Sequence, residues 1–220
     1  MKQFHECELK LKICDEIEKN KIVESLRKMG YSNGGSRLEK DFILDNEEGS
    51  LKKRKILFRI REINEDTNNK KILFTLKIKG TANNFQDNIE IETFAGKRDD
   101  ETIDKILEYI EKIIDIRISS SIFDMNEISD ILKELKIIGI FPYNVVEKKR
   151  IEYIGQKSKA SLDVFPDPIG TYLEIEAGSE ENLFNSIEQL GLEKKRFDKR
   201  NYGRIIAEAT NGATQVKFSV

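Results

Sequence analysis

Charged side chains alternate with apolar ones through several short segments of this chain, and this alternation limits the folds that it can adopt. Near the N-terminal end, Glu6, Glu8 and Lys10 alternate with Leu9 and Leu11. A period of two residues is that of a β-strand, whose successive side chains project from opposite faces. The same reasoning predicts strands over 4–13, 40–45, 56–63, 71–79, 86–94, 143–154, 158–165 and 170–177.

Apolar residues at helical spacing lie between and after these strands. They predict a helix over 15–29 that starts at Asp15, two helices within 99–139, one helix over 179–190 and a short one over 200–209. Asn68 and Asn69 predict a turn, and the Ser-Asn-Gly-Gly-Ser segment at 32–36 predicts a loop. The tail from residue 211 is either a frayed end or a late edge strand. The sequence therefore predicts a single α+β domain over 1–220, with 99–139 as a helical insertion between strands.

Charges of the same sign recur in pairs along the predicted strands. Acidic residues occur at seven of these positions, Glu6, Glu8, Glu90, Glu92, Asp163, Glu174 and Glu176. Basic residues occur at seven others, Lys10, Arg59, Arg61, Lys77, Lys79, Lys148 and Arg150. An antiparallel sheet with one solvent-exposed face explains any single pair. Adjacent like charges repel, so their recurrence favours faces that converge on groups of opposite sign.

These two sets of charges indicate a chemistry. Arg and Lys bind phosphate oxygens, Arg through two hydrogen bonds and Lys as a point charge. Clustered carboxylates bind Mg²⁺ or Mn²⁺, which prefer oxygen ligands and bridge phosphates. About eight strands with apolar outer faces could close into a barrel around such a charged channel. The pattern therefore favours a polyanion bound together with divalent metal ions.

The overall charge balance argues against a nucleic-acid partner. The chain has 38 Lys and Arg residues and 40 Asp and Glu residues, giving a formal net charge of −2. General nucleic-acid binding relies on an excess of positive charge, which is absent here. The single histidine, His5, also argues against a His-rich zinc site and against a Ser-His-Asp triad.

The sequence predicts a cytoplasmic protein without a membrane segment. Its longest run without charged residues, 137–146, is too short to span a bilayer. The first residues contain no apolar core of a secretory signal. Cys7 and Cys14 form no CxxC pattern, which fits a reducing compartment, and both are interpreted as buried small apolar side chains.

The order of charged motifs resembles the CYTH superfamily, also called triphosphate tunnel metalloenzymes. Glu6-x-Glu8-x-Lys10 is similar to the ExExK signature of that superfamily, and the basic and acidic pairs follow in the same order. The segment from Arg200 through Asn201 and Tyr202 resembles its C-terminal Ser-Tyr-x-x-Leu-Leu helix, with Asn in place of Ser. The resemblance covers nearly the whole chain and implies an eight-stranded antiparallel β-barrel, the triphosphate tunnel, with helices packed outside.

The resemblance also implies an activity. It suggests hydrolysis of inorganic triphosphate or thiamine triphosphate, a small-molecule substrate, with Mg²⁺ or Mn²⁺. The alternatives are a class IV adenylyl cyclase that makes cyclic AMP from ATP, and a non-catalytic module that binds polyphosphate or nucleotides. The segment 99–139 is longer than in compact members, and is interpreted as a cap, a lid or an interface for a homodimer.

The motif positions imply a role for each charged residue. The expected metal ligands are Glu6, Glu8, Asp163, Glu174 and Glu176. The expected catalytic groups, which orient water or stabilise charge, are Lys10, Glu90, Glu92 and Asp163. The expected phosphate contacts are Lys10, Arg59, Arg61, Lys77, Lys79, Lys148, Arg150 and Lys199.

Overall fold

The computed structural model describes residues 3–65, 70–82, 85–97 and 99–219, without the side chains of residues 3 and 4. The turn predicted at Asn68 and Asn69 lies outside the described residues.

The strands lie where the two-residue period predicts them. In the described ranges they are β1 (Gln3–Lys12), β2 (Ser32–Asp45), β3 (Ile56–Glu65), β4 (Lys70–Lys79), β5 (Gln86–Phe94), β6 (Phe141–Ile154), β7 (Ser158–Val164), β8 (Thr171–Ala177) and β9 (Gln215–Val216). Their order in the sheet is β2-β3-β4-β5-β1-β8-β7-β6-β9, and β2 also pairs with β6. The additional pairing closes β1–β8 into an eight-stranded antiparallel β-barrel with β9 added beside β6, which confirms the predicted fold class.

Six α-helices occur in the described part of the chain. They are α1 (Glu16–Lys28), α2 (Ser50–Lys53), α3 (Asp100–Ile114), α4 (Ile128–Ile137), α5 (Glu180–Gln189) and α6 (Tyr202–Ala209). Short 3-10 segments cover Ser120–Asp124 and Lys194–Arg196. The single turn α2 was not predicted, because four residues are too few to show helical periodicity.

Side-chain caps fix the starts of the predicted helices. The carboxylate of Asp15 accepts a hydrogen bond from the backbone N–H of Glu18, and the Ser179 hydroxyl accepts one from Asn182. A side chain at this position satisfies an N–H group that has no partner within the helix. These caps confirm the predicted start of α1 at Asp15 and of α5 at Ser179.

The chain packs into two compact units with separate apolar cores. One unit consists mainly of Glu39–Lys79 and Ile89–Val146, and the other of His5–Leu38, Gly80–Asn88 and the chain from Glu147 onward. In the first, the apolar stripes of α3 and α4 pack against strand residues, and Phe74 contacts Phe123 with ring centroids 4.4 Å apart. In the second, Leu9 and Leu11 of β1 pack with Leu26 of α1.

The predicted loop at 32–36 is wrong, because β2 already begins at Ser32. The Ser32 hydroxyl donates to the carbonyl of Ile154, and Arg37 pairs with Glu152 at 3.3 Å, so this segment lies against β6. A Cβ on Gly34 would lie 3.1 Å from a side-chain carbon of Ile154, which shows how closely the backbone approaches β6. Glycine therefore permits this contact between strands and does not mark a loop.

Of the two alternatives for the C-terminal tail, the structure shows the late edge strand. β9 pairs beside β6, and the Phe218 N–H donates a hydrogen bond to Glu147. Cys7 is buried as predicted, but Cys14 is exposed, because it lies beyond the end of β1 and continues the alternation of exposed Lys12 and buried Ile13. None of the helices in the described part of the chain combines the length and apolar character needed to cross a membrane.

Candidate active site

The charged face of β1 is buried and does not form a solvent-exposed surface. Glu8 is 4% exposed and Lys10 is 1% exposed. β1 pairs antiparallel with β8, which places Glu8 opposite Glu176 and Lys10 opposite Glu174. Opposite charges attract across one of these pairs, whereas two carboxylates face each other across the other. A simple sheet with one wet face does not explain this strand.

Asp163 binds two basic side chains in the interior of the unit that contains His5–Leu38. Its carboxylate accepts hydrogen bonds from Arg150 Nε at 2.7 Å and from Lys148 Nζ at 2.9 Å. Arg150 and Asp163 are direct partners in the β6–β7 register, so the strand pairing itself sets this contact. Burial acts to raise the pKa of Asp163, but the charges of Arg150 and Lys148 outweigh it and lower the pKa below its ordinary value. Asp163 therefore remains ionised.

Glu174 joins the same ion-pair network. It accepts a hydrogen bond from Arg150 Nη2 at 2.6 Å and lies 3.1 Å from Lys10 Nζ. Lys10 in turn donates to Glu8 at 2.7 Å. Burial favours the neutral form of Glu174, but the neighbouring charges of Lys10 and Arg150 hold its pKa well below the ordinary value. The network thus alternates buried acids and bases.

Glu6, Glu8 and Glu176 form a group of carboxylates that adjoins this network through Glu8. One oxygen from each lies within 4.8 Å of the others. Burial raises the pKa of Glu176 well above its ordinary value, and the negative charges of Glu6 and Glu174 raise it further. Arg150 approaches Glu176 only to 3.8 Å. Three converging carboxylates provide the hard oxygen ligands that Mg²⁺ and Mn²⁺ prefer, so the residues present fit a divalent cation.

A second charged cluster lies in the unit that contains Glu39–Lys79. Arg61 donates to both carboxylate oxygens of Asp41, at 2.6 and 2.9 Å, and lies 3.0 Å from Glu39. Arg61, Asp41 and Glu39 are all buried. Sequence reasoning missed both acids: Glu39 lies before the predicted strand start at residue 40, and Asp41, inside the predicted strand, was not recognised as part of a charged pair. Their spacing of two is the signal that could have found them.

The remaining charges of that unit form looser contacts. Arg59 donates to Thr75 at 3.1 Å and lies 3.6 Å from both Asp41 and Glu92. Thr75 donates in turn to Glu92 at 2.8 Å. Arg59 and Glu92 are partly exposed, whereas Thr75 and Arg61 are buried.

Four other predicted residues lie on β4, on β5 or in the C-terminal segment. Lys77 pairs with Glu90 at 2.7 Å, and both are partly buried. Lys79, the last residue of β4, is exposed. Lys199 is also exposed, although its neighbour Asp198 forms a backbone bridge to Lys10. The structure therefore brings most predicted residues into two buried clusters and leaves Lys79 and Lys199 at the surface.

Comparison with known proteins identifies the class. A family model described as the CYTH domain matches residues 5–202. The fold is an antiparallel barrel whose strands carry buried acids and bases. The chain belongs to the CYTH domain family.

Solved structures share this fold at low sequence identity. A conserved hypothetical protein from Pyrococcus furiosus is 18% identical, with a TM-score of 0.61 over 90% of this chain and 97% of its own. A candidate adenylate cyclase from Vibrio parahaemolyticus is 16% identical, with a TM-score of 0.65 over 94% and 99% of the two chains. A candidate adenylyl cyclase from Hippeastrum with a dominant triphosphatase activity is 14% identical, with a TM-score of 0.55 over 94% and 97%. Comparison with curated proteins gives no significant match.

Proposed function

We propose that this protein is a divalent-metal-dependent triphosphatase that hydrolyses inorganic triphosphate or thiamine triphosphate. The register that sets Glu8 opposite Glu176, with Glu6 beside them, carries the proposal. Three carboxylates with oxygens this close repel one another, and a bound cation removes the repulsion. Buried basic side chains in the same unit then provide contacts for the anionic substrate.

Glu6, Glu8 and Glu176 would hold Mg²⁺ or Mn²⁺, with Glu174 adjacent to them. When bound, such an ion neutralises phosphate oxygens and lowers the pKa of bound water. Asp163 and Glu174, also expected as ligands, accept hydrogen bonds from Lys148 and Arg150. We assign them mainly the task of orienting these basic groups.

The basic groups of this unit supply most of the transition-state stabilisation that the proposal requires. Phosphoryl transfer needs little covalent chemistry from a protein, and depends on positioning and on stabilising charge. Lys10, Lys148 and Arg150 present positive charge that their acidic partners hold in fixed positions. Fixed positive groups stabilise charge that develops on the phosphoryl oxygens without first having to reorganise.

The other unit carries further residues with proposed roles. Arg59, Arg61 and Lys77 are its proposed phosphate contacts, and Glu90 and Glu92 are its proposed water-orienting groups. Lys79 and Lys199 are also proposed phosphate contacts, and both side chains are exposed. These roles are the ones that the sequence motifs imply.

The main alternative is a class IV adenylyl cyclase. Hydrolysis requires the terminal phosphates to be held and one water to be placed, whereas cyclisation also requires a pocket for base and ribose. The Hippeastrum relative, a candidate cyclase with a dominant triphosphatase activity, supports ranking hydrolysis above cyclisation for a chain with this fold. A non-catalytic polyphosphate- or nucleotide-binding module has no need of three converging carboxylates, which makes it the weakest of the three.

The proposal includes a setting for the enzyme. We propose one domain over 1–220 with 99–139 as its helical insertion, acting in the cytoplasm on a small-molecule triphosphate, with no nucleic-acid partner. The insertion would serve as a cap, a lid or the interface of a homodimer.

The reaction is tested by supplying triphosphate, thiamine triphosphate and ATP separately, each with Mg²⁺ or Mn²⁺. Phosphate, pyrophosphate and cyclic AMP are then resolved. Metal-dependent phosphate release from one of the first two substrates, exceeding any cyclic AMP from ATP, is the expected result. Abundant cyclic AMP with little free phosphate would establish the cyclase instead, and binding without turnover of any substrate would establish the non-catalytic module.

A further inference from the structure

Two lysine ammonium groups lie over the ring of Tyr202. Lys10 Nζ is 4.8 Å from the ring centroid and Lys148 Nζ is 5.1 Å from it. The ring is itself fixed by aromatic neighbours, with Phe165 at 4.9 Å and Tyr172 at 5.9 Å between centroids. All five residues belong to the same compact unit. One aromatic side chain thus contacts two of the basic groups assigned to phosphate binding.

The ring of Tyr202 counteracts the repulsion between the two ammonium groups. Two ammonium groups beside one ring repel each other, and a lysine is a flexible point charge whose position a single ion pair does not fix. Glu8 and Glu174 contact Lys10, and Asp163 contacts Lys148. The negative face of an aromatic ring attracts cations within about 6 Å, so the ring adds a further point of attachment for each lysine.

The C-terminal segment carries Tyr202 to this position by backbone contacts. Lys10 N–H donates to the carbonyl of Asp198 at 3.1 Å, which attaches the segment to β1 at the lysine itself. Asn201 then caps α6 by accepting a hydrogen bond from the N–H of Arg204 at 2.9 Å. Tyr202 is the first residue of that helix, and the buried side chain of Ile205 anchors the next turn.

We propose that Tyr202 is a positioning residue, whose ring holds the ammonium groups of Lys10 and Lys148 where they bind a phosphate chain. The inference rests on the proposed function and deepens it. The ring carries the effect, because both ammonium groups lie within about 6 Å of its centroid. A phenylalanine at this position would keep the ring and its attraction for cations, whereas a leucine would remove both.

Two variants, Tyr202→Phe and Tyr202→Leu, separate the ring from the hydroxyl. A matched control is Phe184→Leu, which removes the ring lying 5.0 Å from the surface ammonium of Lys194. Calorimetric titration with inorganic triphosphate in the absence of metal measures affinity without turnover. Kinetic assays with Mg²⁺ give kcat and KM, and thermal unfolding verifies that each variant folds.

We expect Tyr202→Leu to weaken triphosphate binding by roughly 10-fold or more, the size of a desolvated cation–π contact, and to raise KM accordingly. Tyr202→Phe should stay within about 3-fold of the wild type, and Phe184→Leu should bind unchanged. Equal losses of triphosphate affinity in the two Tyr202 variants would show that the hydroxyl, not the ring, supports binding. Unchanged affinity in Tyr202→Leu would show that the ring does not support binding. Either result overturns the inference.

The outcome for the wild type separates this inference from the proposed function. Binding without hydrolysis would refute the triphosphatase and still allow the affinities of the variants to decide the role of Tyr202. An absence of both binding and hydrolysis would refute the two together. If Tyr202→Leu fails to fold, NMR of lysine-labelled wild type and Tyr202→Phe decides, since ring currents should shift two lysine resonances upfield in both; unshifted resonances overturn the inference.

Discussion

Arg150 and Asp163 form a two-point contact between neighbouring strands, with Arg150 Nε 2.7 Å and Nη2 2.6 Å from the two carboxylate oxygens. They are direct partners in the β6–β7 register, and both are buried. Paired hydrogen bonds of this kind fix the plane of the guanidinium as well as its distance. Because Arg150 also donates to Glu174, this one contact orders a larger part of the buried charge network.

Replacing Asp163 by Asn should destabilise the protein strongly. The change keeps the shape but leaves Lys148 and Arg150 buried without their main counter-charge, which typically costs about 3–5 kcal/mol. Urea unfolding measures the free energy. Glu193→Gln is the control, because the Glu193–Lys195 pair is exposed and should contribute less than about 1 kcal/mol. A loss of unfolding free energy below about 1 kcal/mol for Asp163→Asn would show that Lys148 and Arg150 do not depend on this counter-charge.

Replacing Glu176 by Gln should separate metal binding from folding. Without metal, the variant should be at least as stable as the wild type, because one of three repelling carboxylates is neutralised. Added Mg²⁺ should raise the thermal unfolding temperature of the wild type but not of the variant. Hydrolysis should fall by roughly 100-fold or more, as expected when a metal ligand is lost.

The control for this experiment is Glu188→Gln, an exposed position on α5. It should respond to Mg²⁺ as the wild type does. An unchanged rate in Glu176→Gln at saturating Mg²⁺ would remove Glu176 from the site.

Two lysines on one face of β4 should differ in their effect on substrate affinity. Lys77 is partly buried beside Glu90, whereas Lys79 is exposed at the end of the strand. Lys77→Ala should weaken triphosphate binding by roughly 10- to 100-fold, the size of a lost charge-assisted contact. Lys79→Ala should have a smaller effect, because solvent screens an exposed charge. Calorimetric titration of both variants provides the comparison, and equal effects would contradict the dependence on burial.

The two cysteines should differ in reactivity. Burial, together with the negative charge of Asp87, raises the pKa of the Cys7 thiol to about 11. Cys14 is exposed. Because the thiolate is the reactive form, a thiol reagent at pH 8 should modify Cys14 in the folded protein and leave Cys7 unmodified. Mass spectrometry after labelling counts the modified thiols; Cys14→Ser should label only after denaturation, and rapid labelling of that variant would refute the prediction.

The pair formed by Glu18 and Arg196 should make stability depend on pH. The hydrogen bond from Arg196, helped by the N–H of Cys14, lowers the pKa of Glu18 below its ordinary value of 4.5. A lowered carboxyl pKa stabilises the fold fully above the unfolded-state value, and the contribution is lost as pH falls through the folded-state value. Glu18→Gln should therefore cost about 0.5–1 kcal/mol at pH 7 and progressively less below pH 4.5.

Urea unfolding of wild type and Glu18→Gln at several pH values measures this difference. Arg196→Gln should give a pH dependence of the same sign but smaller size, because the hydrogen bond from the Cys14 N–H to Glu18 remains. A difference that grows toward low pH would have the wrong sign and would exclude this pair as its cause.

Much of the fold and part of the candidate site followed from the sequence. The two-residue period of Glu6, Glu8 and Lys10 identifies β1, because a strand sends alternate side chains to opposite faces whatever surrounds it. Caps such as Asp15 and Ser179 are equally local, since they bond to N–H groups three residues away. At 32–36 the prediction failed, because a loop and a strand can have the same local composition. There, pairing with β6 makes the segment a strand.

Only the tertiary structure separates the carboxylates by role. In the sequence, Glu174 and Glu176 are equivalent members of one pair. The register with β1 sets Glu174 opposite Lys10 and Glu176 opposite Glu8, so one enters an ion pair and the other meets a like charge. Their pKa values move in opposite directions: burial acts to raise both, but the charges of Lys10 and Arg150 lower that of Glu174, whereas the charges of Glu6 and Glu174 raise that of Glu176 further. Local sequence determines which face a side chain takes, whereas the charge it meets there depends on strands that are distant in the chain and adjacent only after folding.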